Sequence, residues 1–257
     1  MKTKSLGFIG GGRITKIFLQ AFVNKKAEFK SIVVFDINAE VMKALKQQFP
    51  QIEIAENLQQ AASQSTVFIA LHPPVIMETL DKIAGTVLKD SIVISLAPKI
   101  TLEKMASKLK TANIARMIPN ATSYINEGYN PVTFAADFSK NEMPAVLEMI
   151  ELLGNTFTVA ETSLEAYALL SAMLPTYFWF QWNELGKLGI QMGLSEDESK
   201  ASVQQTLIAA INLMFNSGLS PDQVMDLIPV KPIGEHQAQI AEIYQTKLMG
   251  LFEKIRP

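Results

Sequence analysis

The chain contains no cysteine and only two histidines in 257 residues. The missing cysteines exclude disulfides, thiol nucleophiles and thiolate metal ligands, and a reducing compartment suits such a chain. His72 and His236 stand far apart, and neither lies near a carboxylate pair at ligand spacing, so no metal site is expected. A large charge of one sign is also missing. The formal net charge is −2, and the longest basic cluster is Lys25-Lys26, which argues against a nucleic-acid partner. Long apolar runs are scarce. The one uncharged stretch, Ala166 to Asn183, approaches the minimum length of a membrane span. Ser171, Pro175, Thr176, Gln181 and Asn183 interrupt it, and Glu165 and Glu184 flank it in place of basic residues. It reads as a helix buried inside a domain or between subunits, and no membrane partner is expected. The opening "MKTKSLGFIGGG" has too short an apolar run for a signal peptide and reads as a first strand, so a cytoplasmic enzyme is the default.

What is present is an ordinary globular balance, 48% hydrophobic and 19% charged, in a length that fits one large domain or two smaller ones. Strand-like and helix-like runs alternate at first. Ser5–Ile9, Ser31–Asp36, a short "IEIA", Ser65–Leu71, Ser91–Ala97, Asn113–Ile118, Pro131–Ala136 and Asn155–Ala160 are the expected strands. They are continuously apolar, as strands covered on both faces are, which predicts a doubly wound, mostly parallel sheet flanked by helices. A helix is expected after the first glycines, through about Asn24. Another follows Asn38 as N-cap, with Val41, Leu45 and Phe49 along one face.

After residue 160 the period changes. Thr162 with Glu165 and Ser195 with Glu198 have capping-box spacing. Tyr167, Leu170, Leu174, Phe178, Leu185 and Met192 recur at helical spacing, and Gly193 ends that run. Gly218 closes the next helix, Ser220-Pro221 starts a third, and a last one spans about Gly234 to Lys254. The expected organisation is an α/β dinucleotide-binding domain, 1–160, and an all-α domain, 161–257. Tyr177, Phe178, Trp179, Phe180 and Trp182 read as a subunit-interface helix in preference to a ligand box.

The chemistry concentrates in "LGFIGGGRIT". Gly10-Gly11-Gly12-Arg13-Ile14-Thr15 fits G-x-G-x-x-(small) between a strand and a helix. The first glycine permits a tight turn, and the second lets a pyrophosphate approach backbone N–H groups at a helix N-terminus. Thr15 is larger than the usual third residue. Asp36 ends the second strand, where a carboxylate accepts hydrogen bonds from a ribose 2′-hydroxyl and repels a 2′-phosphate. The cofactor is therefore NAD or NADP, with Asp36 favouring NAD, while the Arg13 guanidinium is suited to a phosphate.

"GFIGGGRIT", "VFIALHPPVIMETL", "IVISLAPKITLEKM" and "ARMIPNATSYINEG" stand in the order and spacing of the pyrroline-5-carboxylate reductases, which the chain resembles over nearly its whole length. The resemblance implies a Rossmann-type N-terminal domain and an all-α C-terminal dimerisation domain. It also implies hydride transfer from NAD(P)H to the C=N bond of a cyclic imino acid, as in proline biosynthesis. By position it places Gly10, Gly12, Arg13 and Ile14 at the pyrophosphate, and Ala70, Leu71, His72 and Pro73 beside the adenosine. Leu96 and Ala97, with Pro119 and Asn120, flank the nicotinamide. The implied partners are a small-molecule substrate and a second copy of the chain, in a homodimer or larger homo-oligomer.

The departures are local. Met173 and Leu174 replace a serine and a glycine of the family's Ser-Gly-Ser-Gly-Pro turn. "PVKPIGEHQ", Pro229 to Gln237, replaces its threonine- and glycine-rich substrate loop, and Lys99 replaces the glycine after the fifth strand. Asn120, Glu235 and His236 are the candidate catalytic residues. Asn120 offers an amide at a strand end, and His236 beside Glu235 offers acid–base chemistry near neutral pH. The alternatives are a reductase of another imine or a 2-keto acid, and a dinucleotide-binding regulatory protein without turnover.

Overall fold

The structure, a computed structural model, describes residues 4–257. Its strands are β1 (Ser5–Ile9), β2 (Ser31–Phe35), β3 (Glu53–Ile54), β4 (Thr66–Ile69), β5 (Ile92–Ser95), β6 (Ile114–Met117), β7 (Gly128–Phe134) and β8 (Gly154–Thr158). Its helices are α1 (Arg13–Asn24), α2 (Ala39–Gln48), α3 (Leu58–Ala62), α4 (Pro73–Ile83), α5 (Leu102–Ala106), α6 (Met143–Glu151) and α7 (Leu164–Tyr167). There follow α8 (Leu174–Gln191), α9 (Glu196–Asn216), α10 (Pro221–Asp226) and α11 (Gln237–Ile255).

The strands form one sheet in the order β3-β2-β1-β4-β5-β6-β7-β8. From β3 to β6 all neighbours are parallel; β7 runs antiparallel to β6, and β8 is parallel to β7. The chain leaves β1 toward β2 on one side and returns to β4 on the other. The gap between their carboxyl ends is the topological switch point, where open α/β sheets bind ligands.

The pleat sorts the side chains. Leu6, Phe8, Phe68, Ile94 and Met117 join one buried cluster with Phe18, Leu19 and Phe22 of α1. Ile9, Val67, Ile69 and Val93 join another with Ile76, Leu80 and Ile83 of α4. Both faces are thus covered, which is why these strands lack polar alternation. On β6, Ala115 and Met117 face the first cluster, so Arg116 projects to the other side and is fully buried.

The chain divides into two compact units, one reaching Ala172 and including Phe252–Pro257, the other Met173–Leu251. The first runs past residue 160 because side chains beyond that point bond to β6 and the loop after it. Thr162 and Glu165 do not form the expected capping box. A 3-10 turn, Glu161–Ser163, precedes α7, no side chain caps that helix, and Glu165 is drawn to Arg116 instead. The expected single helix is also broken. Ala168–Ala172 form a π-helical turn, and α8 begins with Pro175 in its first turn, where the missing N–H costs nothing.

In the second unit, Ser195 and Glu198 form both halves of a capping box on α9, and Ser220 and Gln223 do so on α10. None of the residues of α8 is buried within this chain, so the expectation of a helix buried inside the domain is not met. Among the described residues, no helix is long and apolar enough to cross a membrane.

Candidate functional site

The glycine turn joins β1 to α1 at the switch point. Gly10 has φ +107°, and an added Cβ there would stand 2.3 Å from the Ala70 carbonyl oxygen, so no other residue fits. Gly12 differs. It is the N-cap of α1 at φ −74°, and an added Cβ would meet nothing within 4 Å. Its smallness leaves open space in front of the helix, the cradle that a pyrophosphate occupies in such turns. No side chain caps α1, and its first turn carries no acid to repel an anion. Thr15 is fully buried, and its hydroxyl donates to the Gly10 carbonyl at 2.5 Å. The larger third residue therefore locks the turn that a smaller one would only permit.

Asp36 completes the turn from the next strand. Its Oδ2 accepts the Gly11 N–H at 2.7 Å, and its Oδ1 accepts the Asn38 N–H at 2.9 Å. Each oxygen keeps a further lone pair. Beside it a cavity of about 420 Å³ opens between the ends of β1, β2 and β4, lined by Gly10, Asp36, Ile37, Leu71 and Val75 among others. Ile37 is 94% exposed at its rim, an apolar surface suited to a flat base. Arg13 is exposed on the first turn of α1, and Ile14 packs against the core. These residues fit a dinucleotide, with N–H groups for phosphates and a carboxylate for the ribose.

The remaining cofactor candidates also lie at carboxyl ends of strands. Ala70 and Leu71 follow β4, and His72, exposed, is the N-cap of α4 without using its side chain. Pro73 opens α4. Leu96 and Ala97 are buried just after β5, and Pro119 is buried just after β6. Asn120 is 5% exposed, and its amide is consumed within the protein. Nδ2 donates to the Ser171 carbonyl and hydroxyl at 3.0 and 3.1 Å, while Oδ1 accepts from the Thr122 N–H and hydroxyl at 3.0 and 2.8 Å. With all four positions used, it ties the loop to Ser171 and is not a group presented to a substrate. This corrects its candidacy as a catalytic amide.

Glu235 and His236 lie in the second compact unit, on a 3-10 turn (Gly234–His236), both exposed. Nε2 of His236 is 3.5 Å from Oε1 of Glu235, an ion pair when the imidazole is protonated. Among the described residues no cluster of three or more acidic or histidine side chains is arranged to hold a metal.

A second arrangement escaped the reading of the sequence. Arg116 Nη1 reaches Glu161 Oε1 at 2.7 Å, and Nη2 reaches Glu165 Oε1 at 2.5 Å; Arg116 is 0% exposed and the Glu165 side chain 2%. The same carboxylate oxygens accept backbone N–H groups from the loop after β5 and the start of α5: Glu165 from Lys99 at 3.0 Å, Glu161 from Leu102 at 2.7 Å. Within that loop the Ile100 N–H donates to the Pro98 carbonyl at 3.0 Å, and Lys99 between them has φ +76°. This is a γ-turn of the positive-φ kind, which is rare and strained. For a residue with a Cβ the conformation costs about 1–3 kcal/mol. The signal was available: an arginine inside an apolar strand needs a carboxylate, and Glu161 and Glu165 are spaced one helical turn apart.

Comparison with known proteins bears on this geometry. A family model described as NADP oxidoreductase coenzyme F420-dependent matches residues 5–99. One described as pyrroline-5-carboxylate reductase dimerisation matches residues 161–255. The curated pyrroline-5-carboxylate reductase of Corynebacterium melassecola is 23% identical over 252 residues, covering 96% of this chain and 93% of that one. Over nearly its whole length the chain is similar to the pyrroline-5-carboxylate reductases.

The Escherichia coli K12 member is 25% identical over 228 residues, covering 88% of this chain and 84% of that protein. The fold agrees with that of the Plasmodium falciparum pyrroline carboxylate reductase solved with NADP bound: TM-score 0.76, 18% identity, 99% of this chain and 96% of that one. It also agrees with the Streptococcus pyogenes 1-pyrroline-5-carboxylate reductase: TM-score 0.74, 19% identity, 99% and 97% covered. Lys99 thus keeps a backbone conformation that suits glycine.

Proposed function

We propose that this protein is a member of the pyrroline-5-carboxylate reductase family and reduces the C=N bond of a cyclic imino acid, using a bound nicotinamide dinucleotide. The carrying observation is the glycine turn: Gly10 is obligatory for its backbone, Gly12 leaves a phosphate-sized opening at an uncapped helix, and Asp36 braces the turn. When bound, the cofactor supplies the hydride from its nicotinamide ring. The protein's residues do the rest. Backbone N–H groups of Gly12 and the first turn of α1, with Arg13, hold the pyrophosphate. Asp36 takes the adenosine ribose hydroxyls, which favours NAD over NADP because a 2′-phosphate would face its charge. Leu71, His72 and Pro73 border the adenosine. Leu96, Ala97 and Pro119 form an apolar floor that excludes water from the nicotinamide and orients it against the imine carbon. Within the second unit, His236 with Glu235 beside it is the acid–base candidate.

The assembly we propose is a homodimer formed through the second unit, in a cytoplasmic setting consistent with the absence of cysteine. Its support is the dimerisation model over residues 161–255 and the large apolar side chains that α8 and α9 leave uncovered, Phe180, Ile190, Ile211 and Phe215 among them.

The test is titration with NADH and NADPH by calorimetry, followed by nicotinamide absorbance with pyrroline-5-carboxylate and a panel of 2-keto acids. Tighter NADH binding and turnover of the imino acid are expected. Turnover only of a keto acid would keep the reductase and replace its substrate. Cofactor binding with no turnover on the whole panel would favour a regulatory protein, a reading supported by the absence of hydroxyl side chains from Pro229 to Gln237.

A further inference from the structure

We infer that Lys99 recognises the substrate's negative charge, as a specificity-determining residue for a small carboxylate. The inference rests on the reading above, in which the dinucleotide lies across the switch point. There the adenosine half belongs to the β1–β3 side and the nicotinamide half to the β4–β6 side. A substrate that receives hydride from the nicotinamide must meet the carboxyl ends of β5 and β6.

The groups at those ends narrow to one. Leu96, Ala97, Pro98 and Pro119 carry no charge. The amide of Asn120 is spent on Ser171 and Thr122, and Arg116 is buried between two glutamates. Lys99 is exposed, and its ammonium has no carboxylate partner among the described residues. A compact ammonium on a flexible stem is suited to an incoming carboxylate.

The backbone argues the same way. A lysine sits in a positive-φ γ-turn that glycine would adopt freely, and two buried or half-buried carboxylates clamped by Arg116 hold the turn in place. Strained non-glycine conformations persist where the surroundings over-determine them, and they gather at ligand sites. Meanwhile the segment that the family likeness assigns to the imino acid, Pro229 to Gln237, contains no serine or threonine and a single glycine. A carboxylate therefore needs a donor from elsewhere, and Lys99 is placed to be one.

The test uses the full-length protein and two probes. Pyrrole-2-carboxylate, planar and unreactive, is titrated by calorimetry into protein saturated with NADH, and pyrrole serves as the uncharged control. In Lys99→Gln the carboxylate is expected to bind roughly tenfold more weakly or worse, the scale of one charge-assisted hydrogen bond. NADH affinity should stay within about twofold, and Lys99→Arg should restore most of the carboxylate binding, since it keeps the charge. Lys99→Gly should lose the carboxylate equally yet melt at a higher temperature, because glycine relieves the strained φ. Failure of NADH to bind the wild-type protein would remove the cofactor reading itself. If NADH binds but Lys99→Gln leaves the carboxylate unaffected, if wild type fails to bind it, or if the substitution instead weakens NADH, the assignment of Lys99 is overturned.

Discussion

The Gly11 N–H donates to Asp36 Oδ2 at 2.7 Å, across 25 positions of sequence. One carboxylate thereby does two things: it fixes the middle of the glycine turn and stands at the edge of the cavity where a ribose would lie. The turn and the sugar-binding group are a single unit, and a change in one shifts the other.

Asp36→Ala should therefore weaken NADH more than removal of a ribose contact alone, by roughly ten- to a hundredfold, because a charge-assisted hydrogen bond to the loop is lost as well. NADPH should lose less, as the repulsion of its 2′-phosphate disappears. Calorimetric titration of both cofactors into the variant checks this. Equal losses for the two would detach Asp36 from cofactor choice.

The two outer glycines of the turn should fail differently. Gly10→Ala forces a Cβ to 2.3 Å from the Ala70 carbonyl at φ +107°, so it should destabilise the fold by about 2–4 kcal/mol in chemical denaturation. Gly12→Ala meets nothing within 4 Å, so its denaturation midpoint should barely move. Its methyl group instead enters the space facing the cofactor, and NADH binding should fall at least tenfold. A Gly12 variant that binds NADH normally would place the pyrophosphate elsewhere.

Arg116 and its glutamates should show graded costs. Arg116→Met leaves Glu165 buried with only the Lys99 N–H and no balancing charge, and should cost about 3–5 kcal/mol. Glu165→Gln should cost more than Glu161→Gln, because the Glu161 side chain is 29% exposed and water can replace its partner. Urea denaturation of the three variants orders them. The reverse order of the two glutamates would contradict the burial argument.

The capping box of α9 has a pH signature. Bonds from the Ser195 hydroxyl and N–H hold the Glu198 carboxyl below its ordinary value. A carboxyl depressed in the folded state stabilises above its unfolded pKa, and that contribution is lost as pH falls through the folded one. The loss belongs to the acid range below about 4.5, the group's ordinary value. In Ser195→Ala the Glu198 carboxyl should titrate closer to that value, the Ser195 N–H bond remaining, as measured by carboxyl-detected NMR. An unchanged titration would mean that the cap does not set it.

Much of the first unit was legible because its determinants are local. Strands covered on both faces need continuous apolar runs, and β1, β2, β4, β5 and β6 were readable from those runs. The Asn38 cap and, in the second unit, the Ser195–Glu198 and Ser220-Pro221 starts are likewise local, since their partners lie within three residues. Where the same local logic met a long-range demand, it lost. Thr162 and Glu165 have capping spacing, but Glu165 instead neutralises a buried guanidinium 49 positions away. Asn120 stands at a strand end, where a polar group commonly faces a ligand, but Ser171, 51 positions on, occupies its amide.

Residue order alone was enough to show that the chain alternates strand and helix and then turns all-helical, that a run of three glycines lies between the first strand and first helix, and that an acid ends the second strand. Hydrophobic period, glycine and capping chemistry act over a few residues, so order along the chain is enough to read them. Only the tertiary structure decided that Asp36 grips Gly11, that Asn120 is architectural, and that Arg116, Glu161 and Glu165 clamp Lys99 in a strained turn. Each of these joins residues brought together by sheet order and helix docking, and a buried charge or amide takes whichever partner the fold places within reach.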